Sequence, residues 1–211
     1  MEGDERRVTG SRIPNQRDVI DRRALSEEIA QTVEREGGKA RKSVVALLRD
    51  AQAAGREELS RRLLEKPSHG RDCATAHSFL VDQLIRVIHD HVVHDVYPAA
   101  NRSSGERLVI MAVGGDGRGE MAPHTDVDIA FLTPSKQTPW CEQVIEAILY
   151  FLWDLGLKVG HSSRSLDDMV RMAKSDLTIR TALLEGRYVW GDQPLFEDAQ
   201  RRFFADVVAG T

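Results

Sequence analysis

The 211 residues contain only two cysteines, Cys73 and Cys141. They are far apart and without a partner motif, so they imply neither a disulfide framework nor a zinc site and fit a reducing cytosol. No apolar run approaches the ~20 residues a membrane span needs. The N-terminal stretch MEGDERRVTG lacks the apolar core of a secretory signal. A cytoplasmic protein without membrane association is therefore expected. Strong positive charge is missing too: 29 Lys/Arg against 33 Asp/Glu leave a net charge of −4. Without a broad basic field, nucleic acid is not an expected partner, although a few local cations suffice for a small triphosphate. The tripeptide Gly-Lys-Ser/Thr is absent, which excludes a Walker phosphate loop.

What remains is an ordinary globular composition, 41% hydrophobic and 29% charged, which can fill a core. The length predicts one domain with a helical appendage. Residues 1–72 carry 16 Lys/Arg against 14 Asp/Glu and no strand-like run, whereas the remainder carries 13 against 19. Residues 1–17 read as a flexible tail with little apolar content. Residues 18–71 read as a helical extension. There Val19, Leu25, Ile29 and Val33 recur at helical intervals up to the break at Gly37-Gly38. A second helix is expected over Ala40–Ala54 with Gly55 as its C-cap, then a short third over Arg56–Lys66, stopped by Pro67. A long amphipathic helix follows over about 72–96.

Within 72–211 the pattern changes. Leu108–Val113 is a continuous apolar run, as in a strand buried on both faces, and Val127–Leu132 is a second strand. Glu142–Leu155 is an amphipathic helix with Pro139 at its first turn, and Leu157–Arg164 a third strand. Short helices over Met169–Lys174, capped by Ser165 or Asp167, and over Asp176–Glu185, capped by Asp176, precede a brief strand at Tyr188–Trp190. A helix over Pro194–Val208 ends the chain.

The segment that carries chemistry is Val113-Gly114-Gly115-Asp116-Gly117-Arg118-Gly119-Glu120, followed by Thr125-Asp126-Val127-Asp128-Ile129. A dinucleotide fingerprint needs G-x-G-x-x-G opening a helix; these glycines lead instead into a turn and a second strand. Residues i and i+2 of a strand share a side. Asp126 and Asp128 therefore present two carboxylates to one place while Val127 and Ile129 face the packed side. Two ionised carboxylates so close call for a cation. Magnesium suits them, because it completes its shell with water and phosphate oxygens. Gly114, Gly115, Gly117 and Gly119 let main-chain N–H groups approach phosphates, and Arg118 adds a charge-assisted contact. The chemistry implied is phosphoryl or nucleotidyl transfer. A tight hairpin with an acidic strand edge is the plainer alternative.

This segment resembles the nucleotidyltransferase superfamily signature, an apolar residue, Gly-Gly or Gly-Ser, then Asp-x-Asp in an apolar strand; here ten residues separate Gly115 from Asp126. The resemblance extends to the N-terminal part of the protein-PII uridylyltransferase/uridylyl-removing family. It is carried by Val113–Glu120, Asp126–Phe131, Leu152–Ser162 and Asp176–Glu185, and covers about residues 70–211. It implies an α/β (α+β) nucleotidyltransferase fold, a small mixed sheet flanked by helices, behind an N-terminal helical extension. It also implies magnesium-dependent transfer of UMP from UTP to a tyrosine of the PII signalling protein, with release of pyrophosphate. Asp126 and Asp128 would hold the metal, and Gly114, Gly115, Gly117, Arg118 and Gly119 would cradle the triphosphate, with Thr125 counted beside them. Asp116 stands where the family usually has an aromatic residue. Of a third carboxylate, Asp167 and Glu185 are the candidates. Nothing here corresponds to the family's uridylyl-removing and glutamine-sensing domains, so 211 residues are expected to be the front part of a longer multidomain enzyme. Two other readings stay open: a standalone nucleotidyltransferase with a different acceptor, and a non-catalytic module that binds nucleotide or PII.

Three further residues are nucleotide-side candidates. His161 either faces the nucleotide or is a satisfied structural histidine. Lys158 and Arg180 are phosphate or base-side contacts, or else exposed or salt-bridged cations. His91 and Asp95 read as an i,i+4 helix-surface pair rather than a metal site. Trp140, Tyr150 and Trp153 read as packing residues.

Overall fold

The computed structural model describes residues 13–99, 105–122 and 125–209. Residues 1–12, most of the expected flexible tail, lie outside the described residues. Ile13 is buried, and helix α1 (Gln16–Val19) lies on α3 (Arg41–Glu65). With α2 (Arg22–Glu36), these helices pack behind α4 (Gly70–His91), which ends in a π-helical turn at Val92–Val96. Among the described residues no helix is long and apolar enough to cross a membrane.

One expectation fails in the extension. Gly55 is not a helix terminus but lies inside a continuous 25-residue α3. A Cβ there would come within 2.7 Å of both Leu80 Cδ1 and the Val19 carbonyl oxygen. Glycine is thus the residue that lets α3 meet α4 and α1. Its intrinsic helix cost of about 1 kcal/mol is offset by that contact. Beyond it, Glu58 binds Arg61 and Arg62, and Arg61 binds Glu65, within the part of α3 that the sequence reads as a separate short helix.

The sheet has the order β3-β2-β1-β4, with β1 Val109–Ala112, β2 Val127–Thr133, β3 Val159–Ser165 and β4 Arg187–Gly191. β1 runs antiparallel to β2 and β4, whereas β2 and β3 are parallel and joined through α6 (Pro139–Asp154). The fold is the expected mixed sheet flanked by helices. Strand periodicity sorts the core. Ile110, Ala112, Val127, Ile129 and Phe131 pack with α4 and α6 in one cluster, which also takes in α2 and α3. Val109, Met111, Ala130 and Leu132 pack with α7 (Leu166–Ser175) and α9 (Gln193–Phe203). The helix starts are set where the polar residues fall. Ser165 accepts the Asp168 N–H, Asp176 those of Thr178 and Ile179 at the head of α8 (Leu177–Leu184), and Asp192 that of Leu195.

Candidate active site

β1 ends at Ala112 and the chain enters a single helical turn, α5 (Gly114–Gly117), where the sequence suggested a plain turn. Gly114 adopts φ +59°, a region L side chains avoid. The first N–H groups of this turn, at Gly114, Gly115 and Asp116, have no intrahelical acceptor. The same turn is tied to β2 twice: Val113 N–H donates to the Asp128 carbonyl at 3.0 Å, and Asp128 N–H donates to the Asp116 carboxylate at 2.6 Å. Asp128 is the one exposed position of β2, between buried Val127 and Ile129.

Asp126 immediately precedes β2, near enough to Asp128 for its charge to act on that carboxyl. Among the described residues no hydrogen bond or ion pair reaches either carboxylate. Partial burial, and next the Asp126 charge, push the Asp128 carboxyl above its ordinary value. Two unspent carboxylates, Asp126 and the Asp128 whose ionisation it disfavours, are a donor set that suits a divalent cation. Among the described residues no three His, Cys, Asp or Glu side chains converge to form a cage. Two protein oxygens with open positions match the habit of magnesium, which keeps water and phosphate oxygens in its shell. The candidates for a third carboxylate are engaged elsewhere. Both Glu185 oxygens accept from Arg118 Nη1 at 2.8 Å, and Asp167 pairs with Arg202 at 2.7 Å.

The structure brings some of the predicted contacts together and separates others. Gly114, Gly115 and Arg118 lie around the carboxylates' end of the sheet, with Gly114 opening toward Asp128: a Cβ there would lie 3.8 Å from Asp128 Oδ2. Gly117 and Gly119 are buried, and a Cβ on Gly117 would meet the Glu185 carbonyl oxygen at 2.1 Å. Gly117 therefore serves the closure of α8 onto the turn. Thr125 spends its hydroxyl on the Ala122 carbonyl at 2.9 Å. Lys158 accepts the Val127 N–H on its carbonyl and is exposed, one register step beyond Val127–Val159 and so beside Asp126. His161 pairs in register with Ile129 and meets Trp153 edge-on at 6.2 Å, on the face opposite Asp128. Arg180 donates to the carbonyls of Ala173 and Lys174 at 2.9 Å each, closing the C-terminal end of α7.

Other expectations need adjusting. His91 pairs with Asp95 at 2.8 Å as the i,i+4 spacing implied, but it is buried and stacked edge-on against Phe151 rather than on the surface. Tyr150 and Trp153 lie on the exposed side of α6, whereas Trp140 is half-buried and donates to the Tyr97 carbonyl.

Three features escaped the sequence reading. Gly160 lies beside Asp128 in the parallel register, and a Cβ there would stand 2.3 Å from Asp128 Oδ1. Asp116 is buried, and burial, offset in part by the Asp128 N–H, pushes its carboxyl up to about 6. Arg187 of β4 binds Asp82 of α4 at 2.6 and 3.1 Å and donates to the Asp116 carbonyl at 3.1 Å. A carboxylate on the apolar stripe of α4 was the available signal for the last.

Residues 54–165 match the family described as "Putative nucleotidyltransferase DUF294". The chain is 68% identical over 200 residues to the bifunctional uridylyltransferase/uridylyl-removing enzyme of Novosphingobium aromaticivorans, covering 95% of this chain and 22% of that protein. The enzyme of the same name from Erythrobacter litoralis is 60% identical over 204 residues, covering 97% and 22%. That from Rhodospirillum rubrum is 48% identical over 207, again 97% and 22%. The chain thus spans about a fifth of the length of these curated relatives.

Proposed function

Since the chain belongs to the DUF294 nucleotidyltransferase family, we propose that it carries the transferase centre for moving UMP from UTP to a tyrosine of the PII signalling protein. The observation that carries this reading is the pair of unspent carboxylates, Asp126 and Asp128, set beside a glycine turn with open N–H groups. The uridylyl group follows the names of the relatives, and the PII acceptor follows the family resemblance of Val113–Glu120, Asp126–Phe131, Leu152–Ser162 and Asp176–Glu185.

In this reading Asp126 and Asp128 hold magnesium, which when bound would neutralise the charge developing on the phosphate oxygens. Gly114 and Gly115 direct main-chain N–H groups toward the triphosphate. Lys158 adds an exposed cation at the Asp126 side. Arg118 gives only its Nη1 to Glu185, and its Nη2 lies near Gly115, at the phosphate side of this reading. The bond formed joins the tyrosine oxygen to the α-phosphorus; the bond broken links that phosphorus to the pyrophosphate, which departs as the phenolic proton is released. No described side chain stands out as a general base, so the contribution of the chain is orientation and charge.

The test is pyrophosphate release from UTP, ATP, GTP and CTP with magnesium, in the presence and absence of a PII protein. Release from UTP that depends on PII and its tyrosine is the expected result. Release that ignores PII would favour another acceptor, and nucleotide binding by calorimetry without release would favour a non-catalytic module.

A further inference from the structure

Below the glycine turn runs a line of buried and partly buried polar groups that the transfer reading does not use. Asp82 lies on the buried side of α4, Arg187 on β4, and Asp116 in the turn; Asp82 and Asp116 are 5% and 6% exposed. Arg187 grips both Asp82 oxygens and also holds the Asp116 carbonyl. The Asp116 carboxylate accepts the N–H of Asp128. The line therefore starts at a helix of the core and ends on the main chain of a proposed metal ligand.

Such a line is not explained by stability. Buried ion pairs are often replaceable by apolar side chains at no loss, because desolvation consumes most of the attraction. Here an additional cost stands: among the described residues nothing accepts from the buried Nε of Arg187, and an unmade buried hydrogen bond is unfavourable. The arrangement does achieve one thing directly. Both main-chain polar groups of Asp128 are fixed to the turn, its N–H through Asp116 and its carbonyl through Val113. On the other flank Gly160 leaves room for the Asp128 carboxylate to project. Metal ligands are commonly oriented by such outer partners.

We infer that Asp116 and Arg187 are positioning residues, which hold the main chain of Asp128, and through it the carboxylate, at a set place relative to the glycine turn. The inference rests on the transfer reading for its consequence in catalysis, but not for the contact itself. It makes Asp116 an acceptor: what matters is an oxygen at that point, not a charge.

The experiment compares Asp116→Ala with Asp116→Asn, which keeps an oxygen of the same reach. Two readouts are taken. The first is amide hydrogen exchange at Asp128 in the ligand-free protein, measured by NMR. Asp116→Ala should speed exchange about tenfold or more, whereas Asp116→Asn should stay within about threefold of the parent, as expected if one hydrogen bond worth about 1.4 kcal/mol is lost or kept. The second is the steady-state rate of pyrophosphate release. Asp116→Ala should lower kcat about 10–100-fold and raise the magnesium needed for half-saturation, with KM for UTP within about threefold, and Asn should restore most of kcat. Should the Ala variant not fold, Arg187→Lys carries the test: it keeps a cation beside Asp82, cannot hold the Asp116 carbonyl as well, and should shift both readouts the same way by less. Unchanged Asp128 exchange in Asp116→Ala overturns the inference, as does an Asn variant as impaired as Ala. A parent protein that releases no pyrophosphate overturns the transfer reading instead, and the exchange comparison then decides the positioning role by itself.

Discussion

The strand end that carries Asp126 and Asp128 and the corner between α7 and α8 are both polar, yet they use their side chains in opposite ways. At the strand end two carboxylates and the Lys158 ammonium have no partner among the described residues, while the main chain beneath Asp128 is tied down twice. At the corner Arg180 is spent on two carbonyls and Asp176 on two N–H groups. A polar group left open on a rigid support is available to a ligand; one that closes a helix end is already part of the architecture. The contrast separates substrate-side residues from structural ones where residue type alone does not.

The largest expected effect comes from removing an open group. Asp126→Asn or Asp128→Asn should lower transfer by about 100-fold or more, since metal stabilisation of phosphate charge contributes several kcal/mol to the barrier. The melting temperature should hold or rise, because one of two repelling carboxylates is gone. Substantial turnover by the double variant would remove the basis of the assignment. Next come the two glycines that border the site. Gly160→Ala would push the Asp128 carboxylate aside, the clash being with a side-chain oxygen. A misplacement of this kind costs roughly ten- to a hundredfold in rate with little loss of stability. Gly117→Ala instead meets main chain at Glu185, so α8 and the turn must part, at about 1–3 kcal/mol. Parallel melts and rate measurements should show the two defects in different columns; equal loss of stability in both would blur the contrast.

Much of this site could be read from the residues. The exposure of Asp128 between apolar neighbours, the apolar run before the glycines and the caps at Ser165 and Asp176 are local signals, and each appears where the period or cap chemistry puts it. What could not be read depends on neighbours distant in the chain. Gly55 looked like a helix stop because local propensity knows nothing of Leu80. His161 was ambiguous because its face depends on the register of β3 against β2, and the pairing with Ile129 turns it away from Asp128. Arg180 and Lys158 were alike as cations. Only the α7–α8 corner, formed by packing, distinguishes the one that is spent. Gly160 and Arg187 gained meaning through contacts with Asp128 and Asp82, respectively 32 and 105 positions away.

That difference between the two cations gives a smaller and sharper test. Arg180→Met removes two hydrogen bonds to α7 carbonyls and should cost about 1 kcal/mol in a denaturant melt while leaving KM for UTP unchanged. Lys158→Met should do the reverse: the melt is preserved and KM rises severalfold, because an exposed cation beside Asp126 contributes to phosphate binding and to no internal bond. A variant of Arg180 that raised KM with the melt intact would place it back among the substrate contacts.

The smallest effect concerns Arg118, which lies between the two regions. Its guanidinium is well exposed and held by Glu185 at the end of α8, so the nucleotide-free molecule keeps a candidate phosphate ligand in a surface ion pair. Exposed pairs are worth about 0.2–1 kcal/mol, and a nucleotide that draws Arg118 away from Glu185 gives that up. Glu185→Gln should therefore lower KM for UTP by at most about fivefold, since 1.4 kcal/mol corresponds to tenfold, with kcat unchanged. The gain should shrink as salt is raised, because screening weakens the pair in the parent protein. Arg118→Ala added to Glu185→Gln should erase the gain, since Glu185 acts on the nucleotide in this reading through that guanidinium. If KM instead rises in Glu185→Gln, the pair orients Arg118 for the phosphate rather than withholding it, and Arg118 joins the groups that the protein fixes in advance.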